Sequence, residues 1–254
     1  MICPASNIDI IRCNQILNQA EISIKNQGVV SFRFAQIAKD SGCSTNTLYK
    51  YFESKEDILV CLFLRNTAST RIPDFIKENP QLSINERAVL SLLFTFELIK
   101  RSPIFNILRL VSINSMFWQL ASPDKISILK NRVNLFWSCI RNPLDDAVAA
   151  GKLSANELEL KELTQEMYFF LAGATSSYQS GLMEDCYLTA DDATCFRHIS
   201  RIMNRYNWNQ PITQEMMESL AMRISQFLDY GQGKNRTCET CLATGKSQNC
   251  KSMQ

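Results

Sequence analysis

Residues 34–55 read FAQIAKDSGCSTNTLYKYFESK, and their reading decides the fold. Phe34, Ile37 and Ala38 recur at helical spacing and face inward, while Gln36 and Lys39 point outward. Asp40-Ser41-Gly42-Cys43 then interrupts the helix. Gly42 supplies the backbone freedom that a sharp helix-to-helix corner requires. Ser44 follows at an N-cap position, opening a short helix from Thr45 to about Tyr51. Leu48 is its inward residue, and Phe52 closes the small core just past its end. Ser54-Lys55-Glu56-Asp57 reads as a capping box that opens a longer helix, through Ile58, Leu59, Leu62 and Phe63 to about Ser69.

The outward residues of the short helix are chemically unusual. A solvated structural helix is normally covered by Glu and Lys. Here Thr45, Asn46, Thr47, Tyr49 and Lys50 present short hydrogen-bonding groups, a phenol and one cation. Such groups match base edges and phosphate oxygens. The alternative is a surface helix whose polar residues are merely hydrated.

Upstream, Ile10, Cys13, Ile16, Leu17, Ala20 and Ile24 recur at helical spacing over residues 8–27, and Gly28 is a natural C-terminal stop. Ser31 precedes the second helix at a capping position. Residues 1–60 carry six bases (Arg12, Lys25, Arg33, Lys39, Lys50, Lys55) and six acids (Asp9, Glu21, Asp40, Glu53, Glu56, Asp57), so they are neutral. Any nucleic-acid recognition here rests on placement rather than on bulk charge.

Gly28, Ile37-Ala38, Gly42, Ser44, Thr47-Leu48-Tyr49, Tyr51-Phe52 and Ser54-Lys55 together resemble the N-terminal domain of the TetR family of bacterial transcriptional repressors. The pattern covers roughly residues 8–65. One departure is Arg33, where the family more often places Ser or Thr. It removes a cap and adds a cation. The resemblance implies a helix-turn-helix whose residues just past the N-cap, Thr45, Asn46 and Thr47, enter the major groove. By position, Asn46 would pair with an adenine and the threonine methyls would touch thymine. Tyr49, Lys50 and Tyr51 would meet backbone or groove wall, and Lys55 a phosphate, with Ser44 counted in the same DNA-binding set. Ser31, Arg33 and Gln36 would flank the other strand. The implied partners are a pseudo-palindromic DNA duplex, a second copy of the chain and a small-molecule effector of unstated identity. The implied role is a repressor released by that effector.

The rest of the chain is expected to be helical, giving an all-α fold. Residues 1–65 form the DNA-binding domain, 66–230 a larger effector-binding and dimerisation domain, and 231–254 a mobile basic tail. Pro73 and Pro80 mark a boundary at 70–82. Residues 84–100 are apolar on most sides, as in a buried helix. Ser102-Pro103 opens a helix that includes Phe105, Leu108, Val111, Phe117 and Trp118. Ser122-Pro123-Asp124 opens another, to about Ala150, with a kink or break at Pro143. Gly151-Lys152-Leu153 is a turn. Helices follow over about 157–181, 191–206 and 213–230. There is no internal repeat.

Two further groups of residues are candidates. Phe94, Phe96, Phe105, Phe117, Trp118, Phe136, Trp137, Phe169 and Phe170 either line an apolar effector cavity or pack an ordinary core. Gly173, Ser176, Ser177 and Ser180 form a small-residue stripe that allows close approach of another helix, and the family architecture implies that this is a dimer contact. Glu97 either holds a cationic ligand or, with Arg101 four residues on, forms a solvated helical ion pair, and the second is the favoured reading.

Other function classes are disfavoured. With His198 as the sole histidine, a catalytic triad or a His-rich zinc site is excluded, and His198 itself reads as a surface residue beside Arg197 and Arg201. No catalytic residue, metal ligand set or cofactor is expected. Cys238-x-x-Cys241 with Cys250 is the one cysteine cluster, and it carries the alternative reading of a redox- or metal-responsive regulator. The remaining cysteines sit singly, as small buried hydrophobes do in a reducing compartment. No run of apolar residues is long enough to span a membrane. The N-terminus lacks the basic-then-apolar pattern of a signal peptide, so the expected compartment is the cytoplasm.

Overall fold

The computed structural model describes residues 7–66 and 71–230. Their architecture is all-α, with twelve helices and one two-residue ladder. The chain's contacts divide it into two compact units. Among the described residues the first comprises 7–66 and 102–133, and the second comprises 71–101 and 134–230.

The first unit begins with α1 (Asn7–Gln27), α2 (Phe34–Asp40), α3 (Thr45–Tyr49) and α4 (Lys55–Asn66). Ile10, Cys13, Ile16, Leu17, Ala20 and Ile24 of α1 are all buried. The helix packs on α2 and on α4, and Ile37, Ala38, Leu48 and Phe52 are buried too. Phe32, which carries no helical signal, is buried as well. Phe34 is only half-buried, because its ring turns to that of Tyr49. Polar ties lock α1 to α4: Arg65 donates to Asn18 Oδ1 and to Glu21 Oε2, each at 2.7 Å.

The same unit continues with α7 (Pro103–Ile113) and α8 (Ser115–Trp118), and both pack on α4. The sequence pattern predicts one helix through Trp118. The structure breaks it at Asn114, whose extended backbone lets its side chain accept from Met116 N at 3.0 Å. Asn competes with the helical backbone in this way, and here the competing bond wins.

The second unit contains α5 (Ile72–Glu78), α6 (Ile84–Arg101), α10 (Glu157–Ser180), α11 (Asp192–Met203) and α12 (Gln214–Tyr230), with α9 (Pro123–Ala149) entering it from Asn134 onward. The segment 70–82 contains α5. Pro73 lies in its first turn, where a missing N–H costs nothing. The helix α6 is buried from Ala88 to Ile99 and packs chiefly on α12 and α10. Its entry is a reciprocal cap that the sequence reading missed: Glu86 N donates to Ser83 Oγ at 3.2 Å, and Ser83 N to Glu86 Oε2 at 2.7 Å.

Pro143 does not end α9, which runs unbroken to Ala149. Gly151, at φ +65, closes it, with Lys152 N donating to Ala147 O and Gly151 N to Val148 O. The chain then makes a short bridge not anticipated from sequence: β1 (Leu153–Ser154) pairs antiparallel with β2 (Asn207–Trp208). The helix α10 starts in a full capping box between Asn156 and Glu159 and stops at Gly181, whose φ is +62.

Glu97 differs from its expected role. It is 6% exposed rather than solvated, and it accepts from Lys100 at 2.6 Å and from Arg101 at 2.8 Å. Arg101, itself half-buried, also holds Asp229 of α12 at 2.9 Å. The bond to Asp229 leads the causes that raise the Arg101 pKa.

Candidate nucleic-acid interface

The turn between α2 and α3 is built by backbone hydrogen bonds. Cys43 N donates to Ala38 O and Gly42 N to Lys39 O, both at 3.0 Å, with Gly42 at φ +63. This crossed pair is the usual way a helix ends on a left-handed glycine. Arg12 of α1 adds a bond from its guanidinium to Ser41 O at 3.3 Å. Arg12 was not among the residues singled out from sequence, because its partner lies 29 positions away.

The short helix α3 is held from three sides. Ser44 caps it, its Oγ accepting from Thr47 N at 3.1 Å and sharing a hydrogen bond with Thr47 Oγ1 at 2.9 Å. Leu48 and Phe52 are fully buried beneath it. Tyr51 donates its hydroxyl to Asp9 Oδ1 at 2.7 Å, pinning the end of α3 to the start of α1. Burial, together with that carboxylate, pushes the Tyr51 phenol up to about 12. Tyr51 therefore has an internal partner, where the sequence reading assigned it to the groove wall.

What remains outward is a compact polar face. Thr45, Asn46 and Lys50 are exposed, and Tyr49 is 51% exposed. Among the described residues no protein hydrogen bond engages the side chains of Thr45, Asn46, Lys50 or Lys55. The Tyr49 ring rests on Phe34 at 4.9 Å between centroids, which orients its hydroxyl without consuming it. Thr47 is half-buried, its hydroxyl turned to Ser44.

On α2 and before it, Ser31 and Arg33 are exposed and Gln36 is half-buried, donating to Asp40 Oδ1 at 2.7 Å. Arg33 occupies the N-cap of α2 with no side-chain cap bond, so its cation stays available. Lys55 stands exposed at the first position of α4. Anions are favoured at such a helix start. Ser54 and Asp57 order that start: Asp57 N donates to Ser54 Oγ at 3.2 Å, while Asp57 Oδ2 accepts from Glu53 N at 2.9 Å.

The aromatic candidates do not form one group. In the first unit, Phe105 is buried and stacks with Phe63, whereas Phe117 and Trp118 line an open crevice with Glu56, Leu59, Val60, Phe63 and Leu108. In the second unit, Phe94 packs with Phe75 and Phe227. Phe96 meets Phe170, which also touches His198. Phe136 and Trp137 gather round Tyr168, and Phe169 is 62% exposed.

Of the small stripe on α10, Gly173 and Ser180 are exposed and Ser176 and Ser177 half-buried. Cys238, Cys241 and Cys250 lie outside the described residues. Among the described residues no group of His, Cys, Asp and Glu is placed to hold a metal ion, and the described cysteines form no disulfide with one another. No described helix is long and apolar enough to cross a membrane.

Comparison with known proteins finds relatives of the N-terminal segment and of the fold. A family profile described as bacterial regulatory proteins, tetR family, matches residues 16–61. An uncharacterized HTH-type transcriptional regulator of Mycobacterium tuberculosis is 28% identical over 93 residues. That match takes in 37% of this chain and 46% of the relative, so the chain spans about half the length of the curated relatives it matches. Two solved structures share the fold. The transcriptional regulator FadR of Bacillus subtilis, in complex with stearoyl-CoA, superposes with a TM-score of 0.51 at 15% identity, covering 83% of this chain and 96% of that one. The fatty acid degradation regulator FadR of Bacillus halodurans gives 0.50 at 17% identity, covering 84% and 94%.

Proposed function

We propose, from the premise that this chain belongs by its N-terminal domain to the TetR family of bacterial regulatory proteins, that it is a homodimeric repressor of transcription released by a small-molecule effector. The observation that carries the reading is the face of α3. A helix of five residues is too short to persist alone. The cap from Ser44, the buried Leu48 and the Tyr51–Asp9 bond hold it nonetheless, and what they hold outward is the polar groups of Thr45, Asn46, Tyr49 and Lys50, without internal hydrogen bonds. Polar groups held rigid and left unpaired are suited to reading a duplex.

Residues 1–65 do the reading, with Thr45, Asn46 and Thr47 toward the bases and Ser31, Arg33, Gln36, Tyr49, Lys50 and Lys55 toward the backbone. The helices beyond carry response and dimerisation. On α10, Gly173 has open space where a side chain would stand, and Phe169 projects one turn before it. That ridge and hollow suit the same helix of a second copy, with Ser176, Ser177 and Ser180 extending the contact. Dimerisation would space two α3 helices about one DNA turn apart, over a pseudo-palindrome. An effector shifts this equilibrium by binding better to the conformer that does not fit. The Bacillus subtilis neighbour holds stearoyl-CoA, which supports a small organic ligand here. Such a protein works in the cytoplasm, beside the DNA.

The test is a mobility-shift titration of the purified chain against the DNA upstream of its own gene, at several salt concentrations. Saturable binding with strong salt dependence is expected. Binding to no duplex better than to random DNA at moderate salt would end the reading.

A further inference from the structure

The first turns of α1 touch the chain on both sides of α3. Asp9 and Arg12 are at i and i+3 of α1 and so share a face of that helix. Asp9 Oδ1 accepts from the Tyr51 hydroxyl at 2.7 Å, just past the end of α3. Arg12 donates from its guanidinium to Ser41 O at 3.3 Å, in the turn before α3. Ile10 and Cys13, their neighbours in sequence, are buried, so this stretch of α1 is itself anchored. The helix between the two ties has little else to fix its direction. It spans five residues, and Leu48 is the buried one. An apolar contact is non-directional: it keeps a helix on the core but resists tilting and rolling poorly. Hydrogen bonds at both ends are directional and supply what is missing.

We infer that Asp9, Arg12 and Tyr51 form a clasp that sets the angle at which α3 meets DNA, and that sequence discrimination by Thr45 and Asn46 depends on it. The inference rests on the reading of α3 as the DNA-reading helix. All three are positioning residues, and none of them reads a base. Recognition groups work only when supporting bonds hold them to roughly 0.5 Å and 10–20°. Burial and the Asp9 carboxylate push the Tyr51 phenol up to about 12, so its hydroxyl remains a donor throughout the neutral range. Asp9 also gives the clasp a signature of opposite sign to plain electrostatics. Removing an acid from beside a polyanion tightens binding to every duplex. Removing one end of the clasp weakens binding to the duplex that α3 reads.

The test uses Asp9→Ala and Tyr51→Phe, singly and together, in the full chain. Each is titrated against the duplex upstream of the chain's own gene and against a random duplex of equal length. Each single variant should bind the first duplex roughly tenfold more weakly, as for loss of a charge-assisted bond. Random DNA should be held within about twofold, because that binding is sequence-independent attraction to phosphates. The double variant should be no worse than the singles, since both remove the same bond. Arg12→Gln should lower discrimination with the salt slope unchanged. Hydrogen exchange of the free chain gives a measure that needs no DNA: the amides of Leu48, Lys50, Tyr51 and Phe52 should exchange faster in the variants, and those of α6 should not. Melting curves confirm folding; if Tyr51→Phe does not fold, Asp9→Ala decides alone. Equal weakening of both duplexes by Tyr51→Phe beside a silent Asp9→Ala would make Tyr51 a backbone contact and overturn the clasp. Tighter binding by Asp9→Ala, or unchanged exchange in α3, overturns it as well. A parent chain that prefers no duplex removes the regulator and the clasp's role in it, whereas lost preference in the variants alone leaves the regulator and supports the clasp.

Discussion

Asp57 at the start of α4 accepts a hydrogen bond from the backbone N–H of Ser122, 65 residues on, at 2.7 Å. Its other carboxylate oxygen accepts from Glu53 N at 2.9 Å. Ser54 adds a parallel tie, donating its hydroxyl to Leu120 O at 3.2 Å. The helix start that bears Lys55 is thus fastened to the connection between α8 and α9, within one compact unit. A single buried carboxylate satisfies two backbone donors, and the bond from Ser122 is itself buried.

Asp57→Asn should therefore be costly although it is nearly isosteric. An amide has one acceptor oxygen and offers an NH₂ where a second acceptor stood, so one backbone donor loses its partner. The expected loss is about 2–4 kcal/mol of unfolding free energy, from a charged hydrogen bond broken in a buried site. Urea denaturation of the purified chain measures it. A change within 0.5 kcal/mol would show that the tie is not formed.

Ser44→Ala removes the cap of α3 and the hydroxyl partner of Thr47. The cost should be about 1 kcal/mol in stability. The loss in DNA affinity should be larger than that stability change explains, because a frayed α3 no longer presents Thr45 and Asn46 at a fixed angle. Comparing melts with operator titrations separates the two. Ser44→Asp, another good cap, should restore stability but repel phosphate.

Asn46→Ala and Lys55→Ala should fail in different ways. Loss of Asn46 should cost about 1–3 kcal/mol on the operator and little on random DNA, changing preference at one position. Loss of Lys55 should weaken all duplexes alike and lower the salt slope by about 1. Binding-site selection for the first, and salt titration for the second, distinguish these outcomes. Identical behaviour of the two variants would contradict the assignment of base reader and phosphate contact.

Glu21 links acidity to the integrity of the first unit. Burial alone would raise its pKa, but Lys25 and Arg65 outweigh that and hold it below its ordinary 4.5. A carboxylate with a depressed folded value stabilises the fold above its unfolded value. The benefit is lost as pH falls through the folded one. Stability should thus drop progressively below pH 4.5. Glu21→Gln should cost about 2 kcal/mol at neutral pH, since it leaves the guanidinium of Arg65 with uncharged acceptors only, and should flatten that acid limb. Thermal melts of both proteins from pH 3 to pH 7 check this, and parallel curves for the two would rule it out.

The helix-turn-helix was legible in the sequence because its instructions are local. Gly28, Gly42 and Ser44 act within five residues of themselves through backbone geometry and capping, and the apolar spacing of Ile16, Leu17, Ile37 and Leu48 names the buried side without reference to any partner. The composition and helical periodicity likewise determined an all-α chain. Only the tertiary structure decided that Asp57 reaches Ser122, that Tyr51 turns inward to Asp9, and that Arg101 reaches Asp229. It alone divided the candidate aromatics among separate clusters. A local pattern records which face of a helix is apolar. It holds no record of which distant segment will cover that face, and these contacts join residues many turns apart in the chain.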